Sequence, residues 1–295
     1  WGRNSFYETL LREEGGESRL ALFVGDVDGN GTVEQLEAVR VGDRWLPVRD
    51  RHALEKGLPD LRSRFPVHAA MVKAGIEGIA GPAFERLKKM EVNHLGTTLF
   101  INHGDRFEPV PLPMEVQLAP AFSVCVGDVD ADGNDDLFFS QNFFAVRPED
   151  PRNDAGTGLW LLGHGDGTFR ALKPSESGVR VYGEQRGAAL ADFDRDGRVD
   201  LVVTQNAAAT RLFRNQAETK GVRVSFGGEG EGVQARLVYA DGTKGPVRVV
   251  QSITQVLGAA KVAVAVEAAW PSARKTRVPL KPGQTEVVLT YPSEP

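Results

Sequence analysis

The chain is predicted to be all-β, a partial β-propeller of about three four-stranded blades. A short α-helical insertion and a small C-terminal β domain complete it. Three observations predict this. Acid- and glycine-rich loops recur three times, each between two short apolar runs. Those runs are rich in β-branched and aromatic residues and lie against turn residues, which is strand patterning. Glycine (33) and proline (17) are frequent enough to supply many tight turns.

Residues 1–18 carry little pattern, and residues 5–10 read as the end of a preceding repeat. Residues 19–40 read as strand, acidic loop, strand, and 43–49 as a loop holding Trp45 and Pro47. Leu54, Leu58, Leu61 and Phe65 then fall at helical spacing, and Ala70, Met71, Ala74 and Ile79 share one face. Gly81-Pro82 opens a further helical stretch at 83–90, with proline in the first turn. Residues 50–92 are therefore two or three short helices inserted in a β repeat. Strands resume at 97–102 and 107–110. The second unit has strands at 121–126, 137–141, 158–162 and 168–172. The third has them at 187–191, 201–205, 211–214 and 222–226. Gln141-Asn142 and Gln205-Asn206 recur at one offset from their loops, as duplication requires. Units of tens of residues with four strands each are propeller blades by pattern.

The acidic loop is gone beyond residue 227. Strands at 234–239, 245–253, 261–266, 277–280 and 286–291 follow, with turns at Asp241-Gly242 and Pro282-Gly283. The expected division is residues 1–226 as blades, with 50–92 inserted, and 227–295 as the β domain. Three blades do not close a ring, which typically needs about 4–8. The chain is thus expected to be part of a longer ring or completed by a partner.

The loops carry the chemistry. Residues 128–136 place acids at positions 1, 3, 5 and 9 and glycine at 6, and residues 192–200 repeat the pattern. Residues 26–34 are a softer copy. Four carboxylates on nine residues repel one another by roughly 4 kcal/mol per close pair at an effective dielectric near 20. Calcium relieves this with about 6–8 oxygen ligands. Candidate side-chain ligands are Asp26, Asp28, Asn30 and Glu34; Asp128, Asp130, Asp132 and Asp136; and Asp192, Asp194, Asp196 and Asp200. Position 7 would offer a carbonyl, from Thr32, Asn134 or Arg198. Gly31, Gly133 and Gly197 sit at the sharp turn. One Asp-Gly run alone is an ordinary surface turn; three at equivalent places favour a metal. An EF-hand needs Glu at position 12 between helices. Glu37 meets that spacing, but Phe139 and Val203 do not, and the flanks are strands.

Composition excludes other classes. The net charge is −5 without a basic stripe, so nucleic acid is not an expected partner. A single cysteine leaves no internal disulfide, and Cys125 reads as a buried small hydrophobe. No run of 18 apolar residues would span a membrane. The chain opens on Trp1 and reads as a processed form or a piece.

The three loops resemble FG-GAP/VCBS-type repeats, the blades of integrin-α-like propellers. Gly163-His164-Gly165-Asp166-Gly167-Thr168-Phe169 looks like the turn that accompanies them. The tail, with Val256-Leu257-Gly258 and Val266-Glu267-Ala268-Ala269-Trp270-Pro271-Ser272, is similar to the ASPIC/UnbV module of proteins related to cartilage acidic protein. Two departures stand out: Ala273 replaces the glycine usual after Trp-Pro-Ser, and 250–255 is shorter than the family's segment. The resemblance implies calcium in the three loops and an extracytoplasmic location, at the cell surface, secreted or periplasmic.

The expected function is a non-enzymatic, calcium-stabilised scaffold or binding protein. A protein partner or larger assembly is expected, with glycan contact as a second kind. One alternative is an accessory subunit of a membrane-associated complex. Another is an enzyme acting on glycans or lipids, in which case Glu184, within residues 180–187, is the residue to examine. No Gly-x-Ser-x-Gly nucleophile motif appears.

Overall fold

The computed structural model describes residues 20–92, 94–146, 152–227, 232–250 and 254–291. The readings made on residues 1–18 and 251–253, and part of the 145–157 loop, lie outside them. The described residues form two units, one ending at Leu95 and the other starting at Gly96. The first combines a four-stranded sheet with helices and the second is mostly β; the small sheets are antiparallel apart from one pair of strands, and among the described residues no sheet closes into a barrel.

In the first unit, Leu20–Gly25 (β1) buries Leu20, Ala21 and Phe23. It pairs antiparallel with Glu34–Val41 (β2), and the first acidic loop joins them. Gly42, at φ 59°, turns the chain into Arg44–Pro47 (β3), which pairs with β2. Helices follow at Arg51–Glu55 (α1), Leu61–Arg64 (α2) and His68–Ala80 (α3), then a 3-10 turn at Gly81–Arg86. Asp50 caps α1 by accepting from the Ala53 N–H at 2.8 Å. Gly75 breaks α3 at φ 70°; a methyl group there would meet the Trp45 carbonyl at 2.9 Å. Lys88–Val92 (β4) then returns to pair with β1, giving the order β3-β2-β1-β4.

Three expectations change here. The segment with Trp45, read as a loop, is a strand, because a two-residue turn needs only Gly42-Asp43. The end of the expected helical stretch is strand β4. The strands expected to complete the first unit, Thr98–Asn102 (β5) and Phe107–Pro111 (β6), instead form a separate hairpin in the second unit.

The second unit continues with Met114–Gln117 (α4) and a four-stranded sheet. Its strands are Ala121–Gly127 (β7), Asp136–Gln141 (β8), Leu159–Gly163 (β9) and Phe169–Ala171 (β10), in the order β10-β9-β8-β7. Every residue of β8 is buried, the polar Asp136, Ser140 and Gln141 along with Leu137, Phe138 and Phe139. Cys125 is half-buried against the adjoining core. After Pro174–Ser177 (α5), Glu184–Ala191 (β11), Asp200–Asn206 (β12) and Ala208–Phe213 (β13) make a three-stranded sheet.

Val222–Gly227 (β14), expected as the fourth strand of that sheet, pairs elsewhere. It lies antiparallel to Thr254–Leu257 (β17) and parallel to Glu286–Thr290 (β20). The remaining strands, Gln234–Tyr239 (β15), Arg248–Val249 (β16), Ala263–Ala269 (β18) and Lys275–Pro279 (β19), form the order β16-β15-β18-β19. Val222, Val224 and Phe226 enter one core with Leu237, Val266, Trp270 and Leu289. That core is distinct from the one around Phe138, Trp160, Leu201 and Val203. We call the strands β14–β20 the C-terminal module. Among the described residues no helix is long and apolar enough to cross a membrane.

The turn between β18 and β19 is closed by Ala273 N–H to the Trp270 carbonyl and Trp270 N–H to the Arg274 carbonyl, both 2.8 Å. Ala273 sits there at φ 63°. A residue with a Cβ adopts that region at a cost of about 1–2 kcal/mol. Ala273→Gly is therefore expected to raise the melting temperature by about 2–4 °C, read by calorimetry.

Candidate metal centre

Each acidic loop links two antiparallel strands: β1 to β2, β7 to β8, and β11 to β12. One hydrogen-bond pattern holds all three. The position-6 glycine N–H donates to the position-1 carboxylate: Gly31 to Asp26 at 3.0 Å, Gly133 to Asp128 at 2.9 Å, Gly197 to Asp192 at 3.2 Å. The position-2 N–H donates to the position-9 carboxylate: Val27 to Glu34 at 2.8 Å, Val129 to Asp136 at 2.7 Å, Phe193 to Asp200 at 3.0 Å. The position-5 N–H donates to position 3: Asn30 to Asp28, Asp132 to Asp130, Asp196 to Asp194. Both position 4 and position 6 are left-handed. Gly29, Ala131 and Arg195 stand at φ 78°, 59° and 63°, and Gly31, Gly133 and Gly197 at 84°, 94° and 86°. Two left-handed residues curl each chain around its own acids.

This brings positions 1, 3 and 9 together. Carboxylate oxygens of Asp26, Asp28 and Glu34 lie within 4.8 Å of one another, and so do those of Asp128, Asp130 and Asp136 and of Asp192, Asp194 and Asp200. The position-5 side chains Asn30, Asp132 and Asp196 accept from the N–H of position 7. At position 7, Thr32 donates to Asn30 and Glu34, the Asn134 amide donates to Asp132, and the Arg198 guanidinium pairs with Asp196.

The loops differ in charge. In the second, Asp128 is 5% exposed and Asp136 1%. Burial pushes Asp128 up to about 7, against the Gly133 N–H and helped by the charges of Asp136 and Asp132. Burial also lifts Asp136 to about 6 despite the Gly163 and Val129 N–H groups. Asp130 is raised by burial and by Asp132. Asp128 Oδ1 is buried with no hydrogen-bond partner. Among the described residues no lysine or arginine pairs with Asp128, Asp130 or Asp136. In the third loop Arg223 lies 3.5 Å from Asp192, Arg214 pairs with Asp194, and Arg198 with Asp196. Burial would raise Asp196, but Arg198 and its N–H hold it below the usual range.

The second loop therefore fits a hard divalent cation. Its donors are all oxygen, they converge, and one buried anionic oxygen lacks a partner. The third has the same frame, with guanidinium groups already beside its acids.

Several residues that build the site were not singled out from sequence. Gly163 N–H donates to Asp136 at 2.9 Å and Asn215 N–H to Asp200 at 2.8 Å, so in the second and third loops the position-9 acid ties the loop to a third segment. A methyl on Gly163 would fall 2.1 Å from the Asp135 carbonyl oxygen. Asn215 also donates to the Val129 carbonyl at 2.6 Å, linking the two loops. Nothing local in sequence marks these partners.

Within residues 180–187, Glu184 is buried and accepts from Phe144 N–H at 2.7 Å, Asn206 Nδ2 at 2.6 Å and Arg186 Nη2 at 2.7 Å. Burial pushes its carboxyl up, but these donors outweigh it and hold it low. Arg186 stacks 4.0 Å over the Phe122 ring. Asn142 donates to the Gly156 and Gly183 carbonyls, so the repeated Gln-Asn pairs join neighbouring segments.

Fold and site together define a mostly β chain whose hairpins close over acidic loops. No family model matches it. A stretch of 69 residues is 42% identical to cartilage acidic protein 1 of Xenopus tropicalis. That stretch is 23% of this chain and 10% of that protein, so the chain spans about a tenth of the relative it matches.

Asp128 and Asp136 have folded pKa values above the ordinary carboxylate range, to about 7 and about 6. Without cation, their contribution is complete below the unfolded value near 4 and is lost as pH rises through the folded values. Chelated protein is expected to lose melting temperature between about pH 4 and about pH 7. Asp128→Asn should flatten that fall, and calcium should abolish it in the wild-type chain. Differential scanning calorimetry across pH checks this.

Proposed function

We propose that this protein is a non-enzymatic, calcium-stabilised scaffold that works outside the cytoplasm. The observation that carries the reading is the second loop, where three carboxylates converge, two of them (Asp128 and Asp136) buried, and Asp128 Oδ1 has no partner. Calcium supplies the missing positive charge, with Asp128, Asp130 and Asp136 as its carboxylate ligands. The repeated loop frame and the sheets it joins support reading residues 121–213 as two propeller-type blades, with residues 20–47 and 88–92 as a third. The C-terminal strands support a separate β domain of ASPIC/UnbV-like type. Similarity to a protein named for cartilage and acidity supports an extracytoplasmic setting. So does chemistry: an all-oxygen carboxylate site suits calcium, which extracellular modules hold at about 10⁻⁴–10⁻³ M.

The acids are accounted for by metal and backbone hydrogen bonds. Glu184 is spent on three structural donors, which supports a structural role for residues 180–187. The exposed row Phe122, Val124 and Val126 on β7 supports a protein partner or larger assembly.

At about ten times its dissociation constant, one calcium adds roughly 1.4 kcal/mol to folding. Melting in calcium against chelator is expected to differ by at least about 3 °C. Elemental analysis should find calcium in the loaded protein. Equal melting with no retained calcium would sink the proposal. Site order follows from charge: Asp128→Asn should remove the tightest site by isothermal titration, whereas Asp192→Asn should leave it intact.

A further inference from the structure

The C-terminal module reaches the second loop at three points. The Gly258 backbone lies against Asp128, so closely that a methyl group there would fall 1.5 Å from Oδ2 and 2.4 Å from Cγ. Arg248 pairs with Asp135, inside the loop; its charge also favours the Asp128 carboxylate, but less than burial and the neighbouring acids oppose it. Ala260 and the Tyr239 hydroxyl face Gly133: a methyl there would lie 3.2 Å from Ala260 Cβ and 3.8 Å from the hydroxyl. The Tyr239 hydroxyl is raised by burial and then by the Asp128 charge. The module thus shuts water away from a carboxylate whose Oδ1 has no partner. Closing a wall over a desolvated, unpaired anion is costly, by several kcal/mol in a dry interior. A cation beside that anion removes the cost. The same wall meets the third loop differently: Gly221 N–H donates to the Gly197 carbonyl at 2.9 Å, and Arg223 brings its own positive charge to Asp192.

We propose that the C-terminal module is the fourth wall of the second cation site, with Gly258 as the residue that admits Asp128. Calcium binding at residues 128–136 and docking of the module are then one linked equilibrium. By reciprocity, whatever loosens the module weakens calcium there, and calcium tightens the module. The module has its own core, so it can loosen without unfolding. This inference rests on the calcium reading given above.

The test is hydrogen–deuterium exchange of the full chain in calcium and in chelator, with calcium titrated by calorimetry. In wild type, calcium is expected to slow exchange about tenfold at 128–136 and also at 254–262. Asp128→Asn should abolish the protection at 254–262. Gly258→Ala should weaken the tightest calcium site by at least about tenfold. If Gly258→Ala does not fold, exchange in wild type and Asp128→Asn decides alone. Calcium protection confined to 128–136, unchanged at 254–262, overturns the linkage while the calcium reading stands. A wild-type chain that binds no calcium overturns both.

Discussion

The ninth residue of each acidic loop holds its hairpin together. Asp136 and Asp200 each use one oxygen on the loop's own backbone and the other on a third segment, at Gly163 or Asn215. Both are almost fully buried. A buried carboxylate that satisfies two distant N–H groups costs a great deal to remove, because each donor is then orphaned. The sheets around β8 and β12 are therefore built on an anion. That choice brings the next constraint: positions 1 and 3 curl back onto the same spot and crowd it with negative charge.

The crowding is resolved in two ways within one unit. Around the third loop, Arg198, Arg214 and Arg223 supply the counter-charge from the loop, from beyond β13 and from β14. Around the second, Arg248 pairs with Asp135, and the converging acids feel only the more distant charges of Arg248 and Arg170, which burial and their mutual repulsion outweigh. The first loop is less buried, and Asn30 in place of an aspartate removes one charge and lowers the repulsion at source. One frame thus carries three electrostatic solutions.

Most strands and all three loops were legible in the sequence, because period-2 patterning and glycine at position 6 are local signals. The second sheet follows the expected strands almost residue for residue. What was not legible is pairing. Residues 222–227 look like any apolar strand, and nothing local says that Val224 packs with Leu289 rather than beside β13. Residues 44–47 were missed because Trp45 and Pro47 suggest a loop, whereas Pro47 sits at the end of an edge strand, where its missing N–H costs little. At the site, the convergence of the acids at 1, 3 and 9 follows from their spacing, whereas the hydrogen bond from the position-7 N–H to the position-5 side chain carries no mark in the sequence. The left-handed position 4 was hidden because two of the three residues there, Ala131 and Arg195, carry no signal for it.

Gly258 shows why tail and loop have to be read together. In sequence it is one glycine after an apolar strand, 130 residues from Asp128. Its φ is not in the left-handed region, so no turn demands it. The only demand is space, since an acid stands where a side chain would go. A glycine required by a neighbour's carboxylate, rather than by its own backbone, ties the C-terminal strands to the chemistry of the loop. The boundary between them is then a seam through the site, and the charge at Asp128 decides how tightly that seam is held.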